Sequence, residues 1–344
     1  MEYRFFLVMA CVVLSCTTES CRSSREPQEV VNVYSHRHYP ADRDLFREFE
    51  TLTGIRVNVL KAGADELINR LELEGATSPA DLLITVDAGR LYRAKVKGLL
   101  QSVSSPTLNT AVPLYLRDQE NTWFGLTTRA RIIVYSKERV NPTELGTYED
   151  LTDPKWYGRI LVRSSANIYN QSLLASILAA KGSDDARDWA AGIVKNMARV
   201  PKGNDRDQIK GISARIGDIA LVNSYYLGLL ANSSDPIDKA AVEAVGIHFP
   251  NQADRGTHIN ISGAAVTANA PNKDNAILLL EFLTSIQGQR IYAQANYEYP
   301  VRQDTSPAPL LASWGEFKSD PLPLSKLGEY NASAVALFDE VGWR

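Results

Sequence analysis

Apolar residues along the chain repeat with two different periods, and these periods alternate. Residues 29–34 are rich in valine and predict a β-strand. The next segment has four apolar residues at helical spacing between Pro40 and Gly54, namely Leu45, Phe46, Phe49 and Leu52. A strand at 55–59, a helix at 64–74 and a buried strand at 81–86 follow. Because strands and helices alternate at this short spacing, we expect a parallel α/β sheet.

A second α/β unit begins after a first long β-rich stretch, and a second such stretch comes later in the chain. Its predicted elements are the β stretches 124–135 and 257–267, the strands 159–162 and 218–222, the helices 169–180 and 185–197, a helix from Tyr225, helices 275–286 and 289–296, and a final helix after a proline-rich tail. Two α/β units joined by two long β segments predict two lobes connected by crossover strands. We place the first lobe at 29–128 with 259–300 and the second lobe at 129–258 with 301–344.

Composition and charge argue against two classes of protein, nucleic-acid-binding proteins and membrane-spanning proteins. The 344 residues contain 37 Lys and Arg against 40 Asp and Glu, which gives a formal net charge of −3. A nucleic-acid-binding protein is normally basic, so we expect no nucleic-acid partner. No apolar run reaches the roughly 18 residues that a membrane-spanning helix needs.

All three cysteines lie near the N-terminus, at Cys11, Cys16 and Cys21. A disulfide scaffold, a thiolate metal site and a cysteine nucleophile are therefore excluded for the rest of the chain. Residues 1–28 are predicted to be a signal peptide and tether, since an apolar stretch follows Arg4. The segment Val13-Leu14-Ser15-Cys16 resembles a bacterial lipobox, in which Cys16 is lipidated; simple signal cleavage is the alternative. Either way, we expect a periplasmic or extracytoplasmic protein.

Tyrosines follow three of the predicted strands. The first strand is followed by Ser35-His36-Arg37-His38-Tyr39, a later one by a segment ending in Tyr169, and the 218–222 strand by Asn223-Ser224-Tyr225-Tyr226. In open α/β sheets, ligands bind beyond the carboxyl ends of strands. Asn167 and Ser224 are the expected N-caps of the two later helices. Helix N-termini also favour nearby anions such as phenolates.

Phenolates are hard oxygen ligands that suit a trivalent cation. Ionising one phenol at pH 7 costs about 4 kcal/mol, so four cost about 16 kcal/mol, which Fe³⁺ can offset far better than a divalent ion. Four phenolates around Fe³⁺ leave one negative charge, and one buried arginine would neutralise it. The chain has 15 tyrosines, however, and packing between lobes is the simpler explanation for any single one.

Motifs for catalysis are missing from the sequence. It contains no HExxH, no P-loop, no GxGxxG and no GxSxG. We therefore expect a binding protein and not an enzyme. A two-lobe protein that binds a small organic molecule or an oxyanion is the main alternative to a metal-binding protein, and a secreted enzyme is a more distant one.

Several blocks of the sequence resemble the periplasmic ferric-iron-binding proteins of iron(III) ABC transporters, most closely their tyrosine-rich, cyanobacterial-type branch. The resemblance extends from about Val30 to Gln303. The blocks are 33–39, 79–87, 125–131, 148–151, 156–158 and 223–226, in matching order and spacing.

This resemblance implies a class II periplasmic-binding fold, in which two α/β lobes close around Fe³⁺ as the transported ligand. It implies an ABC permease of the inner membrane as partner, and we expect a monomer. The implied metal ligands are His38, Tyr39, Tyr169, Tyr225 and Tyr226. Arg129 and Arg37 are the implied basic residues behind them. A branch of the family with a glutamate ligand places it where this chain has Val86, so that carboxylate is absent. Since Tyr39 and Tyr169 can complete the ligand shell, we expect little reliance on bound phosphate or carbonate.

Overall fold

The computed structural model describes residues 29–37 and 39–344. The predicted signal segment 1–28, with Cys16, and the candidate ligand His38 lie outside the described residues. Among the helices within the described ranges, none is both long enough and apolar enough to cross a membrane.

The described residues form nine β-strands. They are β1 (Val30–Ser35), β2 (Arg56–Lys61), β3 (Leu82–Val86), β4 (Phe124–Ser136), β5 (Ile160–Leu161), β6 (Ile219–Asn223), β7 (Val245–His248), β8 (Ile259–Val266) and β9 (Tyr299–Pro300).

Fourteen α-helices connect these strands in the described part of the chain. They are α1 (Pro40–Thr53), α2 (Ala64–Glu74), α3 (Ala88–Val96), α4 (Pro106–Ala111), α5 (Ile168–Lys181), α6 (Ser183–Asn196), α7 (Asp205–Ser213), α8 (Ser224–Ala231), α9 (Pro236–Glu243), α10 (Lys273–Leu283), α11 (Ile286–Asn296), α12 (Pro309–Ala312), α13 (Ser325–Glu329) and α14 (Asn331–Glu340).

One mixed sheet joins all nine strands. Its order is β2-β1-β3-β8-β4-β6-β5, and β7 and β9 also pair with β4. β1 is parallel to β2 and β3, and β5 is parallel to β6, whereas β4 and β8 run antiparallel to their neighbours. The 13-residue β4 pairs with β8 through its first half and with β6 through its second half. β4 therefore crosses from one part of the molecule to the other.

The hydrophobic core is divided between the two ends of this sheet. A first cluster packs β1, β3, β8 and the start of β4 against α1, α2, α3 and α10, and we call this part the first lobe. In the second lobe, alternate residues of β4 and β6 face two separate clusters, with Ile133 and Leu221 in one and Ile132 and Val222 in the other. This alternation is expected where helices cover both faces of a sheet.

The C-terminal tail packs on both lobes. Leu324 and Leu327 belong to the first cluster, whereas Leu337 and Phe338 belong to the second lobe. The boundaries placed at 29–128 with 259–300 and at 129–258 with 301–344 stay a prediction.

Candidate metal centre

Four tyrosines lie where strands of the sheet end and the following helices begin. Tyr39 directly precedes α1, whose first residue is Pro40. Tyr169 is the second residue of α5, and Tyr225 and Tyr226 are the second and third residues of α8. A proline at the first helical position has its φ angle preset for the helix, which fixes where the loop with Tyr39 ends.

The two helix starts in the second lobe are held in different ways. Asn167 caps α5 by accepting a hydrogen bond from the Tyr169 amide at 3.1 Å, which confirms the predicted cap. The prediction that Ser224 caps α8 is wrong, because Ser224 is already helical and the cap position is Asn223. The Ser224 hydroxyl instead accepts a hydrogen bond from the Ala130 amide at 3.2 Å. This contact ties the start of α8 to the crossover strand β4.

The four phenols are close enough to interact with one another. The hydroxyl oxygens of Tyr169 and Tyr225 are 3.3 Å apart. The ring centres of Tyr225 and Tyr226 are 4.2 Å apart. Ionised Tyr169 and Tyr39 would each raise the pKa of Tyr225. The structure thus brings Tyr39 from the first lobe together with three tyrosines of the second lobe.

Burial makes three of these phenols harder to ionise. It raises the pKa of Tyr39 and Tyr225 well above the ordinary phenol value and that of Tyr226 to about 12. Ionised neighbouring phenols would raise these three pKa values further, because like charges repel. Only a ligand of high positive charge would displace several protons from this group at pH 7.

Arg129 is a buried cation beside the phenols. Its guanidinium carbon lies 5.4 Å from the ring centre of Tyr169. Its Nη1 approaches the Ser262 hydroxyl at 3.4 Å, while Nε and Nη2 have no hydrogen-bond partner among the described residues. Burial alone would lower the pKa of Arg129, but Tyr169 and Glu298 raise it above its ordinary value. The site therefore keeps a permanent positive charge with free donor groups.

Arg37 forms a second buried cation under Tyr39. Its guanidinium carbon lies 4.8 Å from the ring centre of Tyr39 and 4.7 Å from that of Tyr292. Its Nε is 3.4 Å from an Asp42 carboxylate oxygen and its Nη2 is 3.6 Å from one of Glu298. These two carboxylates compensate the charge of Arg37, which leaves Arg129 as the less compensated cation near the phenols.

Sequence reasoning missed the buried carboxylates around the phenols. Glu298 accepts hydrogen bonds from the Thr127 hydroxyl at 2.9 Å and from the Ser262 hydroxyl at 3.3 Å. In the second lobe, Asp205 binds Arg131 at 2.6 Å and Arg163 at 2.7 Å. These partners are 36 to 171 residues apart in sequence. No local motif marks them, and the only available signal was that buried arginines need anionic partners.

The phenols are the candidate metal donors in the part of the chain that the structure describes. The described residues contain no group of three or more His, Cys, Asp or Glu that could hold a metal ion. The oxygen donors that the sequence predicted and that the structure brings together are the phenols of Tyr39, Tyr169, Tyr225 and Tyr226. Their roles as ligands, and those of Arg37 and Arg129 behind them, stay predictions.

Comparison with known proteins identifies the class to which this fold and site belong. Residues 77–318 match the family model described as bacterial extracellular solute-binding protein. The chain belongs to this family.

Individual proteins with similar sequences and structures are known. The chain is 50% identical to iron uptake protein A1 of Synechocystis over 317 residues. This alignment covers 92% of this chain and 88% of that protein. A structure of Trichodesmium IdiA (FutA) with iron and citrate ligands is 51% identical, with a TM-score of 0.89 over 92% of this chain and 100% of that one. Apo FutA2 of Synechocystis is 49% identical, with a TM-score of 0.88 over 92% of this chain and 100% of that one.

These comparisons confirm two predictions made from the sequence. The resemblance to ferric-iron-binding periplasmic proteins is confirmed, because relatives that are 50% and 48% identical to this chain are named iron uptake proteins. The two-lobe α/β class is confirmed by the solved structures. The family is described as bacterial extracellular solute-binding proteins.

Proposed function

We propose that this protein captures ferric iron in the cleft between its lobes and delivers it to an ABC permease in the inner membrane. The ligands are the phenolates of Tyr39, Tyr169, Tyr225 and Tyr226, with His38 as a further donor. The observation that supports this most directly is the convergence of four phenols, three of them from the second lobe, beside the buried Arg129. The iron uptake proteins that are about half identical to this chain support the choice of metal.

Metal capture is a proton exchange. Each phenol that binds Fe³⁺ releases one proton, so four phenols release four protons and form a site with one net negative charge. Arg129 balances this charge from behind Tyr169. Acid returns protons to the phenols, and reduction to Fe²⁺ weakens phenolate binding, so either change releases the iron.

The wider assembly follows from the same proposal. The protein works as a monomer in the periplasm, where Cys16 anchors it to a membrane through a lipid. Neither catalysis nor nucleic acid has a part in this function. Closure of the lobes at 29–128 with 259–300 and at 129–258 with 301–344 creates the shape that the permease binds.

A small organic or oxyanion ligand is the alternative. The Nε and Nη2 of Arg129 favour it, because these two buried nitrogens have no hydrogen-bond partner among the described residues and could donate to a carboxylate or phosphate. The two ligands need not exclude each other, since the Trichodesmium relative was solved with both iron and citrate.

The visible spectrum tests the proposal. Purified protein is titrated with ferric citrate and compared with Tyr226→Phe, which removes one ligand oxygen and keeps the ring. We expect a phenolate-to-iron charge-transfer band in the wild type that weakens or shifts in the variant. Tyr157→Phe is the control, because Tyr157 is 70% exposed on the second lobe and should leave the band unchanged.

Two outcomes would overturn the proposal. A wild-type protein that stays colourless would assign the tyrosines to packing between the lobes. A band that is equal in the wild type and in Tyr226→Phe would remove this tyrosine from the ligand set. Binding of citrate or phosphate without iron, unaffected by Tyr226→Phe, would support the organic or oxyanion ligand.

A further inference from the structure

Asp87 occupies an unusual position at the end of β3. Its φ angle is +84°, a region that residues other than glycine rarely adopt, and its side chain is fully buried. Its Oδ1 accepts a hydrogen bond from the Gly89 amide at 2.9 Å and so caps α3. A buried carboxylate held in this way still has lone pairs that need further donors.

The remaining donors come from outside α3. The Ser172 hydroxyl lies 2.9 Å from Oδ1 and 2.8 Å from Oδ2 of Asp87. The Asn260 amide nitrogen donates to Oδ2 at 2.8 Å, and Asn260 Oδ1 accepts from the Ala88 amide at 2.9 Å. Ser172 belongs to α5 of the second lobe, and Asn260 belongs to the crossover strand β8. One carboxylate of the first lobe therefore binds both a second-lobe helix and a crossover strand.

Ser172 and Tyr169 lie on the same face of α5. They are three residues apart, so their side chains are neighbours on the helix surface. Most buried helical serines can bond a carbonyl of their own helix, as Ser176 does with the Leu173 carbonyl at 2.7 Å. Ser172 points to Asp87 instead. The contact thus fixes the rotation of α5 on the side that presents the Tyr169 phenol.

Arg129 connects the same groups by a second route. Asp87 is one of the charges that raise the pKa of Arg129, and the Arg129 guanidinium lies over the ring of Tyr169. Arg129 and Asn260 are paired residues on β4 and β8. Asp87 therefore interacts with one residue of each crossover strand, Arg129 on β4 and Asn260 on β8, and Arg129 in turn contacts the Tyr169 ring.

We propose that the Asp87–Ser172 hydrogen bond is an interlobe tether that positions Tyr169 against the phenol of Tyr39 and slows the loss of bound iron. Asp87 and Ser172 are positioning residues and not metal ligands. This inference rests on the proposed ferric-iron site and adds the contact that couples the two lobes to it.

The test is Ser172→Ala with Ser176→Ala as the matched control. Each substitution removes one buried hydroxyl from α5, and the two positions are one helical turn apart. Of the two serines, only Ser172 forms a hydrogen bond to a residue of the first lobe. Proteins loaded with ferric citrate are mixed with excess ferric chelator, and the decay of the charge-transfer band is followed. We expect Ser172→Ala to lose iron about tenfold faster than wild type, as loss of a hydrogen bond to a charged group predicts. Ser176→Ala should lose iron at the wild-type rate.

A second variant distinguishes loss of the hydrogen bond from a folding defect. Ser172→Cys keeps the size of the side chain and replaces the hydroxyl by a weak thiol donor. We expect an intermediate rate of iron loss and an unchanged circular dichroism spectrum. Equal rates for wild type, Ser172→Ala and Ser172→Cys would overturn the tether, and so would equal acceleration by Ser172→Ala and Ser176→Ala. A wild-type protein without a charge-transfer band would instead contradict the proposed function, so the two failures are distinguishable.

Discussion

At the scale of single residues, the candidate site is a group of neutral phenols held beside permanent cations. Burial disfavours ionisation of Tyr39, Tyr225 and Tyr226, so the empty site avoids the repulsion that several phenolates would create. Arg129 is charged before any ligand arrives. Much of the cost of iron capture is therefore deprotonation, which makes the affinity depend on pH.

The first prediction concerns this pH dependence. Below their raised pKa values the free phenols keep their protons, whereas metal-bound phenolates have lost them, so lowering the pH favours the empty protein. We expect the logarithm of the ferric affinity to rise with pH between 5 and 8 with a slope of about three to four. The measurement is competition with citrate at each pH, corrected for the protonation of citrate.

The matched variant is Tyr226→Phe, which lacks one ionisable ligand. Its slope should be lower than that of the wild type by about one. A wild-type affinity that does not change with pH would show that neutral groups bind the metal.

Residue type and strand ends marked these phenols as candidates, and the family resemblance implied their role as ligands, but neither predicted their surroundings. Tyr39, Tyr169 and the Tyr225–Tyr226 pair were predicted because the carboxyl ends of strands meet at one edge of a sheet. Glu298 and Asp205 were not predicted, since their importance depends on arginines that become neighbours only after folding. His38 lies outside the described residues and stays a prediction.

At the scale of elements, the long periodic helices were the most predictable. The predicted helices after Pro40 and at 64–74 correspond to α1 and α2, and Gly54 ends α1 with a φ angle of +76°. Helices α3, α7 and α9 were missed because each has only eight or nine residues and a short apolar stripe. In α7 the capping box formed by Asn204 and Asp207 was a usable signal.

Helix α8 presents two of the phenols and packs closely against the first lobe. A Cβ atom on Gly228 would lie 2.5 Å from the Cβ and 2.6 Å from the Cγ of Tyr297. Rotating the Tyr297 side chain would not move its Cβ, so the clash can be relieved only by shifting the backbone. Gly228 is three residues after Tyr225, and any shift of α8 would move that phenol.

The second prediction follows from this close contact. Gly228→Ala should destabilise the iron-free protein by about 1–3 kcal/mol through overpacking and should weaken ferric binding. Urea unfolding and citrate competition measure the two effects. Tyr297→Gly in the same chain removes the clashing Cβ, and glycine tolerates the φ angle of +53° found there. The double variant should therefore regain part of the lost affinity, whereas additive losses would contradict the steric explanation.

At the scale of the whole molecule, the separate hydrophobic clusters allow the two lobes to act as bodies joined by β4 and β8. The second lobe contributes Tyr169, Tyr225 and Tyr226, and the first contributes Tyr39 among the described residues. Iron bound to one lobe alone would not need closure. Closure is favoured only when donors from both lobes bind the same ion.

The third prediction separates iron binding from closure by removing the first-lobe donors. The double variant His38→Gln with Tyr39→Phe keeps the three second-lobe phenols, so at saturating ferric citrate it should still show a charge-transfer band. Small-angle X-ray scattering should record a decrease in radius of gyration on iron loading for the wild type and none for the double variant. Tyr226→Phe is the control, because it lacks one phenol but keeps donors on both lobes and should still compact when saturated. If the double variant compacts as the wild type does, closure does not depend on ligands from the first lobe. Contacts between the lobes such as Asp87–Ser172 would then have to cause the closure.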